Sequence, residues 1–133
     1  MITLDTSGLV ALMNPSDKYH NDVVNILNAD AGPYIVPMGI MAEITYILEQ
    51  RVGSSFLLDF LRDVRVGAYT KDCGDKDISR IEDLVQRYED LRLGFSDAAV
   101  IACAERTGGK VLTLDRRHFP VVARGELTIT VLP

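Results

Sequence analysis

The chain has 133 residues, about one domain's worth, and 47% of them are apolar, enough for one hydrophobic core. Its net charge of −5 and pI near 4.9 argue against a broad basic face for nucleic acid, though not against a local one. No basic leader precedes an apolar run, and no run nears the roughly 20 residues of a membrane span, so the expectation is a cytoplasmic protein with no membrane contact. Cys73 and Cys103 have no CxxC spacing and no zinc-type partners, as in a reducing compartment. Cys103 reads as a small buried hydrophobe.

Ile2 to Leu4 is a short apolar strand that runs into Asp5 and then a helix from Leu9 to Met13. Asn14 to Asp17 breaks that helix, and the next begins near Ser16 with Val23, Val24, Ile26 and Leu27. Ala31, Gly32 and Pro33 stop it. Tyr34 to Val36 is a second strand, ending at Pro37. Met38 to Gln50 is a helix, since Ile40, Met41, Ile44, Ile47 and Leu48 recur at helical spacing. Gly53 ends it. Ser54 or Ser55 caps the next helix, through Leu61, and Val64 to Tyr69 reads as a third strand. Asp75 to Tyr88 is a charge-rich helix, and Ser96 to Arg106 another, closed by Gly108 and Gly109. Lys110 to Leu114 is a fourth strand, ending at Asp115, and Thr128 to Val131 a last one. Short apolar strands alternating with helices predict an α/β fold of three layers, with a short central parallel sheet flanked by helices and residues 1–133 forming one domain.

In an open parallel sheet, ligands bind beyond the carboxyl ends of the strands. Asp5 and Asp115 lie at two such ends. Glu43 lies mid-helix in Met41-Ala42-Glu43-Ile44, and Asp97 in the first turn of a helix in Phe95-Ser96-Asp97-Ala98. Each has an ordinary explanation: Asp5 caps the first helix, Asp97 answers a helix dipole or follows a Ser96 cap, and Asp115 shapes a turn. Glu43 is harder to explain so. Positions i±3 and i±4 are Gly39, Ile40, Tyr46 and Ile47, and a charge facing apolar material costs several kcal/mol unless paired. Together, four carboxylates at one edge call for divalent cations. An all-oxygen set suits Mg²⁺ or Mn²⁺, and such ions assist phosphoryl displacement. The Thr6 and Ser96 hydroxyls adjoin two of the acids and are placed to orient them.

The strings Ile2-Thr3-Leu4-Asp5-Thr6-Ser7, Met41-Ala42-Glu43-Ile44, Leu91 through Ala104 with Gly94-Phe95-Ser96-Asp97 at its centre, and Val111 through Phe119 with Leu114-Asp115 come in an order and spacing that resembles the PIN-domain ribonucleases. Within them the chain is similar to the VapC toxins of bacterial and archaeal toxin–antitoxin pairs. The resemblance covers essentially the whole chain. It implies a PIN-like fold and a Mg²⁺- or Mn²⁺-dependent endoribonuclease with Asp5, Glu43, Asp97 and Asp115 as both catalytic and metal-binding acids. It also implies an RNA substrate, an antitoxin partner and a homodimer. The fourth acid is the least uniform in the family, and here Arg116, Arg117 and His118 follow it rather than another acid.

Arg116 and Arg117 are the basic residues beside the candidate site. They read either as contacts to RNA phosphates or as a solvated turn. A phospho-acceptor signalling module is disfavoured, because Asp5 has no acidic neighbour and no Lys follows Leu114. A catalytically silent PIN-like domain that only binds a protein partner is the remaining alternative, and the presence of all four acids counts against it.

Overall fold

In the computed structural model, residues 1–126 and 129–133 are described. They form one sheet of five parallel strands: β1 (Ile2–Leu4), β2 (Tyr34–Pro37), β3 (Thr70–Asp72), β4 (Lys110–Leu112) and β5 (Thr130–Leu132). The strand order is β3-β2-β1-β4-β5. Thr3 registers with Ile35 on one side and Val111 on the other, so β1 is central. Its three residues are wholly buried, which is why they read as a continuous apolar run rather than an alternating one.

The helices are α1 (Thr6–Met13), α2 (His20–Asn28), α3 (Met41–Ile47), α4 (Ser54–Arg65), α5 (Ile78–Arg87), α6 (Phe95–Arg106) and α7 (Phe119–Gly125). A 3₁₀ turn (Met38–Ile40) leads into α3, and a π-turn (Leu48–Val52) follows it. From β1 the chain steps outward to β2 and β3, then crosses back to β4 and β5. Right-handed crossovers therefore place α1–α4 on one face and α5–α7 on the other. Packing of α1 on α2 and α3, and of α5 on α6, agrees with that division. The predicted three-layer α/β/α arrangement is observed.

Helix α6 is buried along its middle. Ala98 through Ala104 are all buried, Cys103 among them, and the small side chains let the helix lie close to β1 and β4. Leu4, Leu112 and Ile101 are fully buried.

Several expected boundaries move. The third strand is Thr70–Asp72, not Val64–Tyr69: Val64 lies on the buried side of α4, and Tyr69 precedes the strand. Being polar and largely exposed, β3 carries no apolar signal, as suits an edge strand. Helix α2 starts at His20 rather than near Ser16, because the Asn14 and Asp17 side chains accept the backbone N–H groups of Ser16 and Tyr19 and hold a turn. Helix α5 starts at Ile78 rather than Asp75, and α7 was not anticipated. In α7 Pro120 sits in the first turn, where a missing N–H costs nothing. Of the last predicted strand, Thr128 lies outside the described residues, and Thr130–Leu132 is strand.

Candidate functional site

Strand order reverses between β1 and β4, and the carboxyl ends of these two strands open onto a groove of about 480 Å³. Asp5, Glu43, Asp97 and Asp115 all line it. Four acids far apart in sequence thus meet at the topological switch point.

Asp5 follows β1 directly and is buried. It caps α1, its Oδ1 accepting the Gly8 N–H at 2.8 Å. The Ser7 hydroxyl donates to the same oxygen at 2.8 Å, and the Thr113 hydroxyl, from the end of β4, donates to Oδ2. One side chain thus both caps α1 and lines the groove. Burial pushes its carboxyl up to about 6, against the downward pull of Thr113, Gly8 and Ser7.

Asp97 lies in the first turn of α6, as expected, but the N-cap is Gly94 and not Ser96. Burial raises Asp97 to about 6 as well; His118 opposes this, while the charges of Asp115 and Glu43 add to it. Asp115 divides its oxygens between two tasks. Oδ1 accepts the N–H groups of Arg117 at 2.7 Å and His118 at 3.1 Å, which closes the turn before α7. Oδ2 faces the His118 ring. Burial works to raise Asp115, but the His118 contact and the two N–H groups outweigh it and hold the carboxyl below its ordinary value.

Glu43 departs from the expectation that it faces apolar material. It is exposed at the groove's mouth, not pressed against apolar material, so it pays no burial cost. It faces the other acids because Met38–Ile40 turns sharply after β2 and packs on α6. A Cβ on Gly39 would stand 3.0 Å from Ala99 Cβ, so glycine permits this approach.

The hydroxyls that fix Asp5 belong to Ser7 and Thr113. Among the described residues, those of Thr6 and Ser96 bond to none of the four acids, although Thr6 lines the groove. Thr113 had a signal in the sequence: a polar residue inside Val111-Leu112-Thr113-Leu114, wholly buried in the fold. Arg116 and Arg117 are exposed and are not part of the groove lining, whereas Arg51, at the end of the π-turn, is. Glu43, Ile47 and Arg51 recur at i, i+4 and i+8 and all face the groove. Ending the helix at Gln50 hid that relation.

The donor set fits a metal ion. Asp97, Asp115 and His118 present ligand atoms that lie within 4.8 Å of one another, and Asp5 and Glu43 open onto the same groove. Crowded carboxylates, two of them raised by burial and by neighbouring acids, are relieved by a cation.

A parallel sheet of this order, with acids converging at its switch point, is the arrangement expected of the PIN-domain class. The sequence pattern of the PIN domain matches residues 2–125, and the chain belongs to that family. Ribonuclease VapC26 of Mycobacterium tuberculosis is 34% identical over 133 residues, covering 98% of each chain. Among solved structures, VapC20 of the same organism, described as a sarcin-ricin loop cleaving toxin, superposes with a TM-score of 0.80 at 18% identity, over 92% of this chain and 95% of that one. VapBC2 of Rickettsia felis, bound to a DNA fragment from its promoter, gives 0.68 at 15% identity, over 99% and 98%. These structural likenesses concern the fold.

Proposed function

We propose that the chain is a metal-dependent endoribonuclease, the toxin of a VapBC-type toxin–antitoxin pair, in which residues 1–133 act as one PIN-like unit. The observation that carries this reading is the convergence of Asp5, Glu43, Asp97 and Asp115 on one groove. The relatives' descriptions as ribonuclease and toxin support it, as does the toxin–antitoxin complex among the structural neighbours. Asp5, Glu43, Asp97 and Asp115 are assigned to metal binding and catalysis, with Mg²⁺ or Mn²⁺ as the ion suited to their oxygens. When bound, such ions supply water activation and charge neutralisation for phosphodiester hydrolysis.

The protein's part is to hold the acids ready. Ser7, Thr113 and the Gly8 N–H fix both oxygens of Asp5 before any ion arrives. Glu43 stays at the open rim, where substrate enters. Arg116 and Arg117 are assigned to flanking RNA phosphates, being exposed next to Asp115. A neighbouring antitoxin, a homodimer and a cytoplasmic setting complete the reading by family membership.

The test is cleavage of mixed RNA by the purified chain in Mg²⁺ or Mn²⁺, with EDTA as control. Asp5→Asn, Glu43→Gln and Asp97→Asn should each lower the rate on the order of 10² or more, since ligands of one site act as a unit. Near-normal cleavage by folded Asp97→Asn sinks the assignment.

A further inference from the structure

Besides the four acids, the groove lining includes Asp17 and two residues of different chemistry, Tyr19 and Arg51. Arg51 is the one cationic side chain among the groove-lining residues. Among the described residues it forms no salt bridge, whereas Arg80 and Arg106 are each locked into carboxylates. It is an always-charged fork that lines the same groove as the acids.

Tyr19 is the aromatic side chain at the rim, 41% exposed. The residue is partly open to solvent and is held in place. Its N–H donates to Asp17 Oδ1 at 2.8 Å, and the next residue, His20, donates from Nδ1 to the Ala11 carbonyl at 2.9 Å, tying the loop to α1. Lys18 Nζ lies 4.9 Å from the ring centroid and sets a positive charge beside the ring. An aromatic platform beside cations is the combination that grips unpaired nucleotides, because every base offers a flat face and every backbone a phosphate.

We propose that Arg51 and Tyr19 position the RNA in the groove, Arg51 on a backbone phosphate beside the scissile one and the Tyr19 ring stacked on the flanking base. This rests on the ribonuclease reading and adds to it the two side chains that hold the strand. In an A-form duplex the bases are stacked on one another and give Tyr19 no free face. The groove's volume, about 480 Å³, is that of a small-molecule site and takes a splayed nucleotide rather than a helix.

The experiment measures binding apart from cleavage. A fluorescein-labelled oligouridine of about 12 nucleotides is titrated with the full chain in Ca²⁺, and anisotropy is read over a range of salt. Tyr19→Leu should weaken single-strand binding by about tenfold, with Tyr19→Phe close to wild type. Arg51→Gln should weaken it severalfold and flatten the salt slope by about 0.7, with Arg51→Lys keeping the slope. Replacing the probe by the same strand annealed to its complement should abolish the difference between Tyr19→Leu and wild type. Both residues are exposed, so neither substitution threatens the fold. Failure of the wild type to bind the oligouridine, or binding by Tyr19→Leu and Arg51→Gln equal to wild type, overturns the proposal. So does loss of antitoxin binding in those variants with RNA binding intact, which reassigns the wall to a protein partner. Cleavage of mixed RNA in Mn²⁺ is followed in parallel: its absence refutes the ribonuclease reading, while unchanged binding refutes only this one.

Discussion

His118 Nδ1 stands 2.8 Å from Asp115 Oδ2 and 3.6 Å from Asp97 Oδ2. One imidazole thus bridges acids from two elements, the turn after β4 and the first turn of α6. Asp115 is held below its ordinary pKa and is ionised at neutral pH, so the ring nitrogen is the donor in the shorter contact. The ring fixes where Asp115 Oδ2 points, and ligand-orienting partners of this kind are worth 10–100-fold in metal affinity. His118→Ala should therefore loosen Mn²⁺ binding by roughly that range, read by titration calorimetry. His118→Asn should recover much of the loss, because its amide nitrogen falls near the position of Nδ1. Equal affinity in the wild type and His118→Ala would show that the ring only tidies a turn.

Gly39 sets the distance between the Glu43 and Asp97 elements. An added methyl would meet Ala99 Cβ at 3.0 Å and the Phe95 ring at 3.3 Å. Phe95 is exposed and can swing away, but Ala99 lies on a buried helix. Gly39→Ala should therefore push the turn off α6 by a few tenths of an ångström and cost about 1 kcal/mol of stability. Displacement of Glu43 should lower kcat by about tenfold, since a full 1 Å misplacement costs on the order of 10². Adding Ala99→Gly removes the collision and should restore kcat even though glycine within α6 lowers stability further. If kcat tracks stability through both variants, spacing is not what Gly39 provides.

Arg116→Gln with Arg117→Gln tests the exposed pair beside Asp115. If both hold phosphates, RNA binding should weaken and its salt slope fall by about 1.4, the sum of two single-strand contacts. The Arg117 N–H that braces Asp115 is a backbone group and survives the change, so metal affinity should stay put. An unchanged slope identifies the pair as solvated residues of a turn.

Asp5, Asp97 and Asp115 are legible in the sequence because each sits where a strand ends or a helix begins, and such places are fixed by local pattern. Their supports could not, for reasons that differ by residue. Ser7 and Thr113 are 106 residues apart, and only the parallel register of β1 and β4 brings both hydroxyls to Asp5. The apolar neighbours of Glu43 predict a buried charge, yet the fold leaves it exposed, since helical spacing fixes a residue's direction but not the depth of what it faces. Arg51 lay on the face already marked by Glu43 and Ile47, one residue past the expected helix end. The π-turn at Leu48–Val52 carries the backbone on to it. Strands β1, β2 and β4 were legible because they are buried. Polar β3 took its place by pairing Val36 with Lys71, a tertiary choice that no local pattern records.

Asp97→Asn tests the physical basis of the whole site. Burial and the neighbouring acids raise Asp97 from 3.8 to about 6, so the folded state binds its proton more tightly than the unfolded chain. Stability from that proton is fully present below about pH 4, declines as pH rises through 6, and is gone above it. At neutral pH without metal, the ionised carboxylate is therefore a net cost to the fold. Asparagine removes the charge at nearly the same size and is equally at home near a helix start. In EDTA at pH 7.5 the variant should be more stable than wild type by about 1–2 kcal/mol, a figure reduced from the full linkage value because Asp97 is partly solvated. At pH 4 the advantage should vanish. Saturating Mn²⁺ should then reverse the order by stabilising the wild type more, because an ion that binds only the folded state shifts the equilibrium toward it. Paired thermal melts at the two pH values, with and without metal, read all three outcomes. A variant less stable than wild type in EDTA at pH 7.5, with both proteins shifted equally by Mn²⁺, would mean that Asp97 shares no cation with its neighbours.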